Sequence, residues 1–62
     1  MREYRLYPLV PGTNHIKGVV EVVVCRNDTE ATEEAIKRIN GLDIEIWDGA
    51  RCVKRLKSAD HK

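Results

Sequence analysis

Metal chemistry needs soft ligands at spacings that let them converge, and this sequence offers His15, Cys25, Cys52 and His61. None of the four falls in a C-x2-C or H-x3-H spacing. His15 belongs to a turn and His61 to the last residues, so a structural zinc is not expected. Nucleophilic catalysis needs a base held in place by a third group. Ser58 lies in the tail, both histidines lie outside regular elements, and Cys25 closes a valine run where a thiol is inert packing. The four glycines, Gly12, Gly18, Gly41 and Gly49, each have a turn, bulge or cap role, and none belongs to a phosphate-binding loop. A chain of 62 residues also has little room for a pocket of about 300 Å³. Neither enzyme activity nor a cofactor is expected.

Binding chemistry is better represented. Arg51, Lys54, Arg55 and Lys57 cluster in and after the last strand, with Tyr4, Tyr7 and Trp47 available for stacking. Basic residues beside aromatics on a sheet form a single-strand nucleic-acid platform. Three aromatics, near-neutral net charge and the lack of an RNP-type or KH-type motif argue against that use. The competing reading is a charged strand edge that prevents unwanted pairing. Trp47 and Arg51 fit either a cross-strand cation–π stack or the composition of a protein-binding hot spot.

Such side chains must be positioned by one small domain. A chain this short buries only about 60% of its unfolded surface, so disulfides, a metal or a partner subunit commonly support it. Two cysteines fall short of a disulfide scaffold and read as free thiols of a reducing compartment. That leaves the partner subunit. No stretch approaches the ~20 apolar residues of a membrane span. Arg2, Glu3 and Arg5 have no apolar segment behind them, unlike a secretory signal. A cytoplasmic protein without membrane contact is expected. Charge is uneven: four basic and two acidic groups (+2) in residues 1–26, two and seven (−5) in 27–48, five and one (+4) in 49–62.

The elements follow from local preferences. Glu3–Leu9 reads as a strand through Tyr4, Leu6, Tyr7 and Leu9, with Pro8 favouring a sheet edge. Pro11-Gly12 and Asn14 reverse the chain. Residues 16–25 give the strongest strand signal, because Val19, Val20, Val22, Val23 and Val24 are stiff, β-branched residues. The run is apolar on both faces, which predicts a strand inside the sheet covered on both sides. Asn27, Asp28 and Thr29 can cap a helix, Asn27 and Glu30 form a capping-box-like pair, and Gly41 is the expected stop. Glu33–Lys37 and Glu34–Arg38 suit ion pairing, and Ala31, Thr32, Ala35, Ile36 and Ile39 form the apolar stripe. Residues 42–47 return to strand, Asp48-Gly49 marks a hairpin, and residues 50–56 complete it. A two-residue loop would set Ile44 and Ile46 on the face of Arg51 and Val53. A bulged three-residue loop, the preferred reading, pairs Trp47 with Arg51 and keeps Cys52 and Leu56 on the isoleucine face.

The order β-β-α-β-β predicts an α+β fold in which one helix packs on a small, largely antiparallel four-stranded sheet. Residues 1–56 make the domain and 57–62 a polar tail. If the strands flanking the helix share a sheet, the crossover makes them parallel.

Tyr4-Arg5-Leu6-Tyr7, the acid-capped helix and Glu45-Ile46-Trp47-Asp48-Gly49-Ala50-Arg51 together resemble a group of very short, uncharacterised bacterial proteins. Those proteins share a Y-R-L-Y start and an E-[LI]-W-x-G-x-R hairpin. The resemblance spans nearly the whole chain and departs at residues 19–24, which are more polar in that group. It implies a bacterial origin and carries no assigned activity.

One helix covers one face, while the valine run is apolar on two. The function expected is a non-enzymatic interaction module that self-associates, most simply as a dimer, or binds a protein partner. Val20, Val22, Val24, Trp47 and Arg51 are the candidate contacts. The alternative is a nucleic-acid-binding protein using Arg51, Lys54, Arg55 and Lys57 in the basic stretch 51–57.

Overall fold

The computed structural model describes residues 1–58. The elements are β1 (Arg2–Leu9), β2 (Glu21–Cys25), α1 (Asp28–Lys37), β3 (Asp43–Asp48) and β4 (Arg51–Leu56). They form the expected α+β domain, a four-stranded sheet in the order β2-β1-β3-β4 with the helix between β2 and β3. Each neighbouring pair is antiparallel, so β2 and β3 run parallel to one another with β1 inserted between them. Of the polar tail expected at 57–62, residues 59–62 lie outside the described residues.

The positions of β1 and β2 reverse the expectation: β1 is central and β2 is an edge. The reason lies in which strand is covered on both faces. Successive side chains of a strand point to opposite faces. Tyr4 and Leu6 are buried against the helix, and Leu9 is buried on the other face. In β2, Val23 and Cys25 turn towards the helix, while Val22 and Val24 are exposed. Apolar composition on both sides of β2 therefore does not translate into burial on both sides.

Pro8 is tolerated in the central strand because its missing N–H falls where no ladder partner requires it. Its carbonyl accepts the Lys17 N–H at 2.8 Å, so its amide edge faces the β2 side. There the β1–β2 register has already ended at Leu6 opposite Glu21. Across β3, Pro8 sits opposite Ile44 without needing a donor.

The helix starts as the sequence predicts. The Asn27 side chain accepts the Glu30 N–H at 2.9 Å, and Glu30 Oε1 accepts the Arg26 N–H at 3.0 Å. This capping box reaches the residue before the cap. The helix ends at Lys37, before the Gly41 stop expected. Arg38 terminates it, its guanidinium binding the Glu34 carbonyl at 2.7 Å and its N–H the Ala35 carbonyl at 3.0 Å. Orphan carbonyls of the last turn are thereby satisfied without a left-handed residue. Gly41, at φ +77°, serves instead in the turn into β3. The Glu34–Arg38 pair forms, whereas Lys37 binds Glu34 rather than Glu33.

The core joins Tyr4 and Leu6 of β1, Cys25 of β2, Ala31 and Ala35 of α1, Ile44 and Ile46 of β3, and Leu56 of β4. Ala31 and Ala35 let the helix sit close on the sheet. Ile36, placed in the apolar stripe, is instead exposed, and Ile39 packs at the margin of the core.

Candidate interaction surface

The sheet face away from the helix carries three of the sequence-predicted contacts, exposed Val22 and Val24 and half-buried Trp47, while exposed Arg51 lies on the helix side. Alternation places Glu3, Arg5, Tyr7 and Leu9 of β1 on it. The registers add Val22 and Val24 from β2, opposite Arg5 and Glu3, and Glu45 and Trp47 from β3, opposite Tyr7 and Arg5. Val22 is 54% exposed and Val24 57%, values that set them apart from the rest of the ladder's valines. Val20 precedes β2 and is half-buried. Towards the other end, the Trp47 and Tyr7 rings meet edge to face at 6.5 Å, and Trp47 Nε1 donates to Glu45 at 2.9 Å. Tyr7, Leu9, Ile16 and Trp47 line a shallow groove of about 390 Å³, contrary to the expectation that so short a chain has little room for one, though it is open to solvent rather than enclosed.

Trp47 and Arg51 do not form the expected pair. The hairpin loop is the two-residue Gly49-Ala50, with Gly49 at φ +61°, and it places Arg51 opposite Asp48. A bulge then inserts Val53, so Trp47 faces Cys52 while Leu56 returns to the isoleucine face. The bulge lies in the strand rather than the loop, which is why Leu56 is placed as expected and Cys52 is not. Arg51 turns to the helix side. Its guanidinium binds both oxygens of Asp28, at 3.0 and 3.2 Å, and Asp48 at 3.0 Å. Tyr4 Oη donates to the same Asp28 at 2.8 Å, and Arg2 binds Asp48 at 2.8 Å. The Arg51 and Tyr4 bonds hold the Asp28 carboxyl below its usual range, and the Arg2 and Arg51 bonds do so for Asp48. Burial first, then Asp28, pushes the Tyr4 hydroxyl up.

Arg55 is equally engaged. It binds Asp43 at 2.9 Å, Glu45 at 3.3 Å, the Thr13 carbonyl at 2.7 Å and Asn14 at 3.3 Å. Asp43 is the buried polar side chain among the described residues, 3% exposed. Its carboxylate also accepts the Ser58 N–H at 2.9 Å and the Gly12 N–H at 3.4 Å. The Ser58 bond, then Arg55 and Gly12, hold the Asp43 carboxyl low against the opposing effect of burial. This latch joins the 10–15 turn, the start of β3 and the end of β4, and it was not read from the sequence. Its one signal was the register: Asp43 and Arg55 share a face of adjacent strands, which becomes visible only once the bulge is placed. Of the basic stretch 51–57, Lys54 and Lys57 are exposed and make no ion pair among the described residues.

The thiols are both free, Cys25 buried and Cys52 exposed. They lie on strands at opposite edges, roughly 14 Å apart by strand spacing, well beyond the roughly 7 Å that a disulfide spans between Cα atoms. Burial first, then Glu30 and Glu34, raises the Cys25 thiol above its ordinary value. Among the described residues no three His, Cys, Asp or Glu side chains group as metal ligands, and no helix is long and apolar enough to cross a membrane. His15 is exposed in the turn, and His61 lies outside the described residues. No protein-family model, curated protein or solved structure matches this chain.

Proposed function

We propose that this chain is a small, non-enzymatic interaction module that self-associates as a dimer through the β2 side of its sheet. The observation that carries the reading is the pair Val22 and Val24, more than half exposed yet held in a regular ladder beside the helix-covered core. Rigid apolar side chains on a strand are ready to bury without further ordering, so little conformational entropy opposes association. Trp47 contributes to the same face, next to Tyr7.

The nucleic-acid reading has less behind it. Arg51 and Arg55 are held by carboxylates of their own chain, leaving Lys54 and Lys57 to contact phosphate. A single-stranded oligonucleotide titration at low salt separates the two, because phosphate contacts weaken steeply with salt. The interaction reading expects no salt-dependent binding.

Light scattering across a concentration series tests self-association directly. The expected result is a mass rising towards twice the monomer in wild type and staying at the monomer in the double variant Val22→Lys, Val24→Lys. A strict wild-type monomer at high concentration would overturn the reading.

A further inference from the structure

The backbone identifies which groups β2 leaves open. Pro8 accepts from Lys17, so its N–H position and C=O face the β2 side of β1. Arg5 to Leu9 run in unbroken register with β3, and β1 continues without a bulge through its pairing with β2. The alternation therefore points the amide groups of Leu6, Tyr4 and Arg2 towards β2 as well. Their partners are Glu21, Val23 and Cys25, and these residues hold β2 to β1. Val22 and Val24 then direct their N–H and C=O groups outward, away from β1, as an edge unpaired among the described residues. The same two residues expose their side chains.

The opposite edge is built differently. β4 carries a bulge at Val53 together with Arg51, Lys54 and Arg55, devices that discourage strand addition. Across Glu21–Cys25 there is no bulge, proline or lysine.

We infer that β2 pairs antiparallel with β2 of a second copy, with Val22 of each chain opposite Val24 of the other. This rests on the self-association reading and names its geometry. About a two-fold axis at Val23, Glu21 faces Cys25 of the second copy and Val20 faces Arg26, so no like charges oppose one another. All five residues of β2 overlap in this register. Val22 and Val24 each become narrow pairs exchanging both N–H and C=O groups, while Val23 meets its counterpart as a wide, non-hydrogen-bonded pair. Their side chains form a cluster of four valines on the face away from both helices. Two sheets become one continuous eight-stranded sheet with the β4 edges outermost. The area is small for a permanent complex, so the dimer is concentration-dependent.

A disulfide trap reads this register. Non-hydrogen-bonded antiparallel partners have Cα atoms about 4.5 Å apart, inside the range a disulfide bridges. In a Cys25→Ala, Cys52→Ser background, Val23→Cys should oxidise to a covalent dimer that reductant reverses, while Arg26→Cys should not. Val24→Pro removes an outward N–H and no bond to β1, so it should yield a folded monomer by circular dichroism and sedimentation. The disulfide arm stands whether or not the proline variant folds. A wild-type dimer whose Val23→Cys form stays uncrosslinked would overturn the register and leave self-association intact. A wild-type monomer throughout would overturn the reading beneath it.

Discussion

The β4 edge of the sheet is tied to the rest of the domain at both of its ends. Arg51 reaches Asp28 on the helix and Asp48 across the hairpin, and Arg55 reaches buried Asp43 and the 10–15 turn. The β2 edge has valines at its outer positions and one ionic tie, from Glu21 to Arg38 and on to Glu34. Both edges expose unpaired backbone, yet one is charged, bulged and crosslinked by ion pairs, and the other is flat and apolar. The contrast teaches that the arginines of the basic stretch close one edge and leave the other open. The basic stretch near the C-terminus resembles a nucleic-acid platform in sequence, and its arginines act as structural clamps in the fold.

Breaking the latch should produce the largest effect. Asp43→Ala leaves Arg55 without its buried partner and releases the Ser58 and Gly12 amides, costing about 2–4 kcal/mol. In a domain of this size that lowers Tm by roughly 10–25 °C. The double valine-to-lysine variant on β2 should change monomer stability by no more than about 0.5 kcal/mol, so thermal melts of the two variants measure the asymmetry. Equal losses would dissolve the comparison.

Acid should act on the same side. Asp28, Asp43 and Asp48 all have carboxyls held below the ordinary 3.8 by bonds made in the folded state. Depressed carboxylates stabilise the fold fully above the ordinary value and lose that contribution as pH falls through their lower folded values. Tm should therefore drop as pH falls from about 5 to about 2, with β3–β4 amides losing exchange protection before those between β1 and β2. A Tm independent of pH over that window would show that these bonds carry no net stability. The smallest effect belongs to Lys54→Val, an exposed change expected to leave stability within about 0.5 kcal/mol. It removes one of the charges guarding β4, so sedimentation should show added association through that edge; unchanged behaviour would assign the guarding to the bulge and the two arginines.

The helix was legible because its determinants are local. Asn27, Glu30 and the acid-to-base gradient lie within a few residues of the groups they bind. The hairpin at Gly49 and the presence of each β segment were legible for the same reason and suffice for the β-β-α-β-β fold. Of the strand read over 16–25, however, only Glu21–Cys25 forms, Val19 and Val20 lying before it without a ladder partner among the described residues. Strand order was not, because hydrophobicity shows which residues can be buried and not which ones find cover. Val22 and Val24 are apolar enough for an interior, but at the edge of the sheet nothing among the described residues lies over them. Tyr4, Leu6 and Leu9 took the central position even though Pro8 marks an edge in isolation. Arg51 reaches its carboxylates because the two-residue Gly49-Ala50 loop places it opposite Asp48. Arg55 reaches Asp43 and Glu45 only because the Val53 bulge shifts the register, a choice made by packing Leu56 into the core. Sequence neighbours determined the elements; which face and which edge each side chain occupies was decided by contacts between residues far apart in the chain.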